Sequence, residues 1–396
     1  MAEFVLVINC GSSSLKFALI DPESGDAPIS GNAEHLGSAA ATITHKYQGD
    51  KKVSEIPNAN HEDALNALVK ILRETGLDKS VQAIGHRIVH GGESLTESVL
   101  VDDSVRNKIY DIAKLSPVHN YAHVQGIDAA RRAFPDLKNV VVIDTAFHKQ
   151  IPERAYLYAL PYKYYTDYHI RKYGFHGTSY RYISSVLNEV IGADKDKKLK
   201  SIVCHLGNGG SVGAVDYDHT VDTTMGLTPL EGIVHGTRTG DLDPAAHYIL
   251  QEEFKISLEE LNEVIWKKSG LLGLSGITNN CKELEDLAKE GNQDAIRALE
   301  VYCYRLAKHI AGQFIALGGC DVLVFTGGIG ENSVYVRRRT TELLNCLGFF
   351  LDENRNVDRS LGSPRSIHST ESKYPIWIIP TNEELMIARD TIRLVK

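Results

Sequence analysis

Three segments of this chain run from a short, β-branched stretch straight into a turn of Gly, Ser and Asn: residues 5–14, 202–211 and 322–332. Glycine-rich turns of this kind leave backbone N–H groups unobstructed and bind phosphate oxygens. Three of them, spread over most of the chain, imply one nucleotide gripped by two halves of the protein. The first two turns are each flanked by a second strand (4–8 with 15–20, 201–206 with 211–215), which suggests a duplicated strand–turn–strand unit.

With 396 residues the chain exceeds one ordinary core, so two domains are expected. The net charge of −8 argues against a nucleic-acid partner, which would call for a basic face. An anionic substrate must then be met by locally placed Arg and Lys. The six cysteines are scattered, with no C-x-x-C pair, and read as reduced thiols of a cytoplasmic protein. The first apolar run, 4–8, is short and reads as a strand, not a leader. No apolar stretch approaches the ~20 residues of a membrane span.

Helical periodicity marks 61–75, 102–115, 178–191 and 295–317, and Ser257 with Glu260 forms a capping box. Between them lie apolar strands at 81–84, 140–143, 202–204, 322–325 and 376–379. Such alternation is the pattern of an α/β fold. A domain boundary falls near residue 150, and a last helix is placed to return to the first domain.

The turns supply the candidate site. Asn9, Ser12, Ser14 and Lys16 surround the first, where the hydroxyls and the ammonium suit phosphate and Asn9 suits a hydrated metal. His205, Leu206, Gly207, Asn208 and Gly209 form the second. Gly328, Ile329 and Gly330, followed by Glu331 and Asn332, open a helix after a buried strand, a natural anion seat. Neither the dinucleotide fingerprint nor a Walker P-loop occurs. Arg87 and Arg238 lie in Gly-flanked segments, and a guanidinium fork matches carboxylate or phosphate oxygens. Asp144 ends a strand, His176 precedes a helix, and Glu383 and Glu384 follow another strand end, where a carboxylate suits Mg²⁺ through water. Any one of these has an ordinary structural explanation; their coexistence favours a nucleotide site.

Segments 9–16, 85–93, 116–122, 143–148, 173–179, 204–210, 225–240, 325–333 and 380–385, in this order, resemble the acetate kinase family of the acetate and sugar kinase, Hsp70 and actin superfamily. The resemblance implies an α/β protein of two duplicated ribonuclease-H-like (actin-like ATPase) domains around a nucleotide cleft. Residues 1–150 would form the first domain, with the C-terminal helix 384–396 packed back on it, and 151–383 a second domain for nucleotide binding and homodimerisation. It implies reversible phosphoryl transfer from ATP to acetate, giving acetyl phosphate and ADP, with Mg²⁺ or Mn²⁺. Asn9 and Glu383 would then support the metal, and Lys16, Ser12 and Ser14 would face phosphates. Arg87 would bind the carboxylate or the transferring group. Asp144 matches the family's active-site aspartate, and His176 and Arg238 match its transition-state stabilisers. Residues 205–209, Asn280, Cys281, Lys282 and 328–332 fall where the family holds the nucleotide.

Val89, Val118 and Pro229 would line the acyl pocket, the branched Val89 favouring acetate over propionate. Many relatives carry Asp-Phe-Arg where this chain has Asn280-Cys281-Lys282, which implies looser base recognition. Many also carry His at Tyr180 and Pro at Tyr121, positions expected to be peripheral. Two other readings remain: a propionate or butyrate kinase on the same scaffold, and an Hsp70- or actin-like module. The second has no use for the anion-binding arginines.

Overall fold

The structure is a computed structural model that describes residues 3–113 and 117–396, with only the backbone of 117–119. It divides into two compact units, Met1–Lys149 with Asn382–Lys396, and Gln150–Thr381.

In the first unit the strands are β1 (Phe4–Cys10), β2 (Leu15–Ile20), β3 (Ile29–Glu34), β4 (Thr42–Tyr47), β5 (Asp50–Glu55), β6 (Val81–Ile88), β7 (Val99–Leu100) and β8 (Lys138–Ile143). They form one sheet in the order β5-β4-β3-β2-β1-β6-β8-β7. In the second unit β9 (Lys200–Leu206), β10 (Gly210–Asp216), β11 (His219–Thr223), β12 (Val322–Thr326), β13 (Arg365–Ser366) and β14 (Ile376–Ile378) form a sheet in the order β11-β10-β9-β12-β14-β13. The central five strands repeat. In both units the first strand pairs antiparallel with the second and parallel with the fourth, and the fourth pairs parallel with the fifth. The duplication suggested by the two hairpin turns thus extends to a whole sheet core.

Burial follows the pleat. Leu6, Ile8 and Cys10 of β1 share a core with Leu65, Leu68 and Leu72 of the helix His61–Glu74. Asn60 caps that helix, accepting from the Glu62 and Asp63 N–H groups, an arrangement worth about 1 kcal/mol. In the second unit Ile202, Cys204 and Leu206 face Leu299, Tyr302 and Leu306 of the helix Gln293–Leu317. The Ser257–Glu260 capping box forms as its spacing predicts.

One expectation changes. The strand expected at 81–84 continues to Ile88, so Arg87 sits on β6 and not after it. Pairing on both sides, with β1 and β8, carries the strand past Gly85. That glycine is there for contact. A Cβ on it would lie 2.5 Å from Thr391 Oγ1 and 2.7 Å from Ile387 Cγ2. The bare backbone lets the helix Glu383–Val395 lie directly on β6.

Candidate active site

In the first unit the sheet register assembles a polar row. The ladders pair Lys16 with Asn9, Ile8 with His86, and Ile88 with Ile143. One step beyond those pairs, Arg87 is the neighbour of Asn9, and Asp144 follows β8. Four neighbouring strands thereby present Lys16, Asn9, Arg87 and Asp144 at one edge, where open α/β sheets bind ligands. Arg87 donates from Nη2 (2.6 Å) and Nε (3.1 Å) to Oδ2 of a fully buried Asp144. Its Nε also lies 3.8 Å from Glu383 Oε2, at the start of the helix docked on Gly85. Burial pulls the guanidinium down, but Asp144 and Glu383 more than offset it, and Arg87 stays above its ordinary range. Burial pushes Glu383 up against the pull of Arg87, and the nearby Asp144 charge adds to the rise. Ser12 and Lys16 are exposed, and Ser14 is half-buried in the turn closed by the Gly11 N–H to Ser14 carbonyl bond.

The raised Glu383 tests the fit of a cation. Two carboxylates share one guanidinium, and burial with the Asp144 charge holds half-buried Glu383 above its usual range despite Arg87 and Lys16, so added positive charge there would be favourable. Asn9 adds an amide oxygen on the adjacent strand. Among the described residues no group of three or more His, Cys, Asp or Glu is arranged to hold a metal alone. Mg²⁺ asks for less, binding through one or two carboxylates while substrate phosphates and water complete its shell. The residues present fit such an ion.

In the second unit β9 places His205 opposite Ser211 on β10 and Thr326 on β12. His176 caps the helix Gly177–Ile191 with φ of 59°, a left-handed conformation uncommon outside glycine. It stacks on His205 with ring centroids 4.1 Å apart, and its Nδ1 lies 2.8 Å from Ser211 Oγ. Tyr180 then shares Ser211 through its hydroxyl, which places it one contact behind His176. Burial keeps its phenol far above the ordinary range. Tyr121, in contrast, is 41% exposed and meets the Tyr110 ring edge-on.

Arg238 lies in a loop folded onto the second glycine turn. The Gly236 N–H bonds the Asn208 carbonyl at 2.8 Å, and the Gly210 N–H donates to His235 Nδ1 at 3.1 Å. Arg238 Nη1 donates to the Pro229 carbonyl at 3.0 Å, and the guanidinium carbon is 5.8 Å from the Trp266 ring centre. A Cβ on Gly209 would sit 3.0 Å from Nη1, so the glycine leaves the guanidinium its space. Burial lowers the Arg238 pKa, and no carboxylate pairs with it among the described residues.

The second and third turns converge, since a Cβ on Gly327 would meet the Leu206 carbonyl at 2.8 Å. Beside them opens a cavity of about 830 Å³ lined by Gly207, Asn208, Asn280, Cys281, Lys282 and Gly328, with Ile329 and Asn332. Three of the expected nucleotide residues also hold the frame. Leu206 is core. Glu331 accepts from the Gly327 and Thr381 N–H groups. Gly330 offers its carbonyl to the buried Arg337. Glu285, Tyr335, Arg338 and Arg359 also line the cavity and went unpredicted, because they come from separate elements with no shared motif. Val89 is buried in the first unit, and the Val118 side chain lies outside the described residues.

The family model for the acetokinase family matches residues 4–389. This chain belongs to the acetokinase family. Among acetokinase relatives, the acetate kinase of Dichelobacter nodosus is 57% identical over 99% of this chain and 98% of its own length. The solved acetate kinase of Porphyromonas gingivalis matches with a TM-score of 0.94 at 38% identity, covering all of both chains. A propionate kinase from Francisella tularensis also matches with a TM-score of 0.94, at 40% identity over 99% of this chain and 100% of its own.

Proposed function

We propose that this protein is an acetate kinase, transferring the terminal phosphoryl group of ATP to acetate and back. The observation that carries this reading is a pair of anion-binding guanidinium groups, Arg87 beside Asp144 and Glu383, and Arg238 beside the Gly207–Gly209 turn. Full-length identity to acetate kinases supports the choice of substrate.

The chemistry needs no general base. A carboxylic acid of pKa about 4 is already ionised near neutral pH. The difficulty is bringing one anion onto another. Arg238, half-buried and without a counter-charge among the described residues, takes the developing charge on the transferring oxygens, and His176 adds a hydrogen bond. Arg87 holds the acetate carboxylate or the incoming phosphoryl group. Asp144 holds Arg87 in place with one oxygen and is not an obligatory proton acceptor. Asn9 and Glu383, with Asp144 behind, would hold Mg²⁺ or Mn²⁺, which when bound there neutralises phosphate charge. Lys16, Ser12 and Ser14 meet phosphate oxygens from the first turn. The nucleotide occupies the cavity of the second unit, against residues 207–209, 280–282 and 328–332. Lys282 is a weaker anchor than an arginine would be, and GTP is accepted beside ATP.

Val89 and Pro229, with Val118, limit the acyl chain, so propionate is the slower substrate. Five of the six cysteines are buried and none is in a disulfide, which supports a cytoplasmic setting. Among the described residues no helix is long and apolar enough to cross a membrane. Tyr248, Phe254 and Leu258 are each more than half exposed on and after the helix Pro244–Glu252, an apolar face suited to a second copy. Phe254→Asp would lower the dimer fraction in sedimentation.

Acetate, ATP, Mg²⁺ and hydroxylamine should yield acetohydroxamate and ADP in equal amounts. ADP release without hydroxamate would replace this reading with that of a simple ATPase. Propionate turned over faster than acetate would favour the activity named for the Francisella relative.

A further inference from the structure

Among the described residues the Arg238 guanidinium makes one hydrogen bond, to the Pro229 carbonyl. Whatever holds Pro229 therefore helps to aim that guanidinium. Pro229 is the midpoint of residues 227–231, and a single phenol oxygen clips both ends of this turn. The Leu227 N–H donates to Tyr158 Oη at 2.8 Å, and the Tyr158 hydroxyl donates to Glu231 Oε2.

The clip is braced. A Cβ on Gly226 would collide with Glu231 Oε2 and Tyr158 Oη, so a glycine there leaves the carboxylate room to reach the phenol. Lys172 takes the other carboxylate oxygen. Its Nζ stands 3.6 Å from Glu231 Oε1 and 3.6 Å from Asp222 Oδ1, and donates to the Thr223 carbonyl at 2.7 Å. Burial, then the Glu231 charge, raises the phenol well above its ordinary range, so Tyr158 keeps the proton it donates. A hydrogen bond to an ionised carboxylate is stronger than one between neutral groups.

The same turn is also held by the loop that carries Arg238. His235 accepts the Gly210 N–H on Nδ1, so in the neutral imidazole the proton is on Nε2, 3.3 Å from the Leu230 carbonyl. Pro229 and Leu230 thus offer adjacent carbonyls to Arg238 and His235, while Leu227 and Glu231 on either side are tied to Tyr158.

We infer that Tyr158 is a positioning residue for phosphoryl transfer: by closing residues 227–231 on one hydroxyl it fixes the Pro229 carbonyl and, through it, the Arg238 guanidinium. Without the clip the ends of the turn part, the carbonyl shifts, and the guanidinium loses the bond that aims it. A small misplacement of this kind costs a catalytic group much of its effect. The inference rests on Arg238 acting in the reaction, as proposed above.

The test is a set of variants assayed for kcat and KM with acetate and ATP, each checked for folding by circular dichroism. Tyr158→Phe keeps the ring and removes only the hydroxyl. It should lower kcat by about tenfold or more, with both KM values within about threefold of wild type. Glu231→Ala frees one end of the turn and should act in the same direction, whereas Glu231→Gln keeps an oxygen for the phenol and should recover most of the loss. The deciding measurement is a double-mutant cycle. In Arg238→Ala, with no guanidinium left to aim, adding Tyr158→Phe should change kcat by less than about twofold. A merely structural tyrosine slows both backgrounds by the same factor. That result, or wild-type turnover in Tyr158→Phe, overturns the inference. If Tyr158→Phe does not fold, Glu231→Ala carries the same cycle. Arg238→Ala separates the two layers. Its collapse together with an additive cycle rejects the role of Tyr158 alone, and near-wild-type turnover rejects both.

Discussion

The two candidate anion-binding arginines, one in each unit, are opposites in construction. Arg87 stands on a strand, bonded to a fully buried carboxylate and close to a second. Arg238 stands on a loop, bonded to a backbone carbonyl, near an indole ring, with no carboxylate partner among the described residues. The first is fixed by charge and the second by shape. A compensated guanidinium is a good clamp but has little charge to spare. An uncompensated one is costly to bury but stabilises new negative charge as it forms. One fold, used twice, presents one compensated and one uncompensated guanidinium, the proposed holder and the proposed stabiliser.

The largest effect that would break this contrast is on turnover. Arg238→Ala should lower kcat by about 10³-fold with a small change in the KM for acetate. Arg87→Ala should raise the acetate KM as well as lower kcat, since a holder acts in the ground state too. Identical kinetic signatures for the two variants would erase the distinction.

Stability should move in opposite directions. Arg87→Ala leaves Asp144 buried without its main partner, at a cost of about 3–5 kcal/mol. Arg238→Ala removes a charge that no carboxylate pairs among the described residues, and thermal unfolding should show no loss and a gain of up to about 1 kcal/mol. A drop in Tm for Arg238→Ala as deep as for Arg87→Ala would mean that its ring and carbonyl contacts outweigh its buried charge.

A third difference lies in acid. Each arginine has a buried histidine near it in sequence. Burial lowers His86 to about 4, against the bond that its Nε2 makes to the Asn139 side-chain oxygen. Burial, with the Arg238 charge, lowers His235 to about 3. Both imidazoles are neutral in the fold and take up protons once unfolded, so the unfolded state binds more protons below pH about 6.5. The stability they contribute is present above that pH. It is lost as pH falls, down to about 4 for His86 and about 3 for His235, at ~1.4 kcal/mol per pH unit for each group. His235→Asn, which keeps an acceptor for the Gly210 N–H, should flatten denaturant-measured stability between pH 6 and 4 by about that slope. An unchanged slope would show that His235 is protonated in the fold.

The parts legible in the sequence are those encoded by local chemistry. The three turns, the capping box at Ser257 and the alternation of strands and helices each follow from neighbouring residues. Arg87, Asp144, His176 and Arg238 stood out because glycines or strand ends flank them. What escaped is set by register and distant contact. Nothing local extends β6 beyond Gly85, since the helix that needs this glycine lies some 300 residues later. Tyr180 looked peripheral because it lies on a helix and its partner, Ser211, on β10. Tyr158 and Glu231 share no motif, and Glu285, Tyr335, Arg338 and Arg359 meet only when their helices and loops assemble. Conversely, Glu331 sits in the most nucleotide-like turn and spends its carboxylate on that turn's own backbone.

The smallest effect concerns the acyl group, and it sharpens the contrast most finely. Val89 is buried two residues after Arg87, just past the end of β6, and Pro229 offers its carbonyl to Arg238. Each arginine therefore comes with an apolar neighbour, but only one pair is mechanically linked. Val89→Ala opens room for a methylene without touching a bond to Arg87. It should raise the propionate-to-acetate ratio of kcat/KM by about tenfold, within the 1–3 kcal/mol that one methylene provides, and leave acetate turnover nearly unchanged. Pro229→Ala loosens the carbonyl that anchors Arg238, so it should slow acetate and propionate together and shift their ratio less. Were the proline variant to change selectivity as cleanly as the valine one, Arg238 would not depend on that carbonyl for its position, and the view that shape fixes the second arginine would fail.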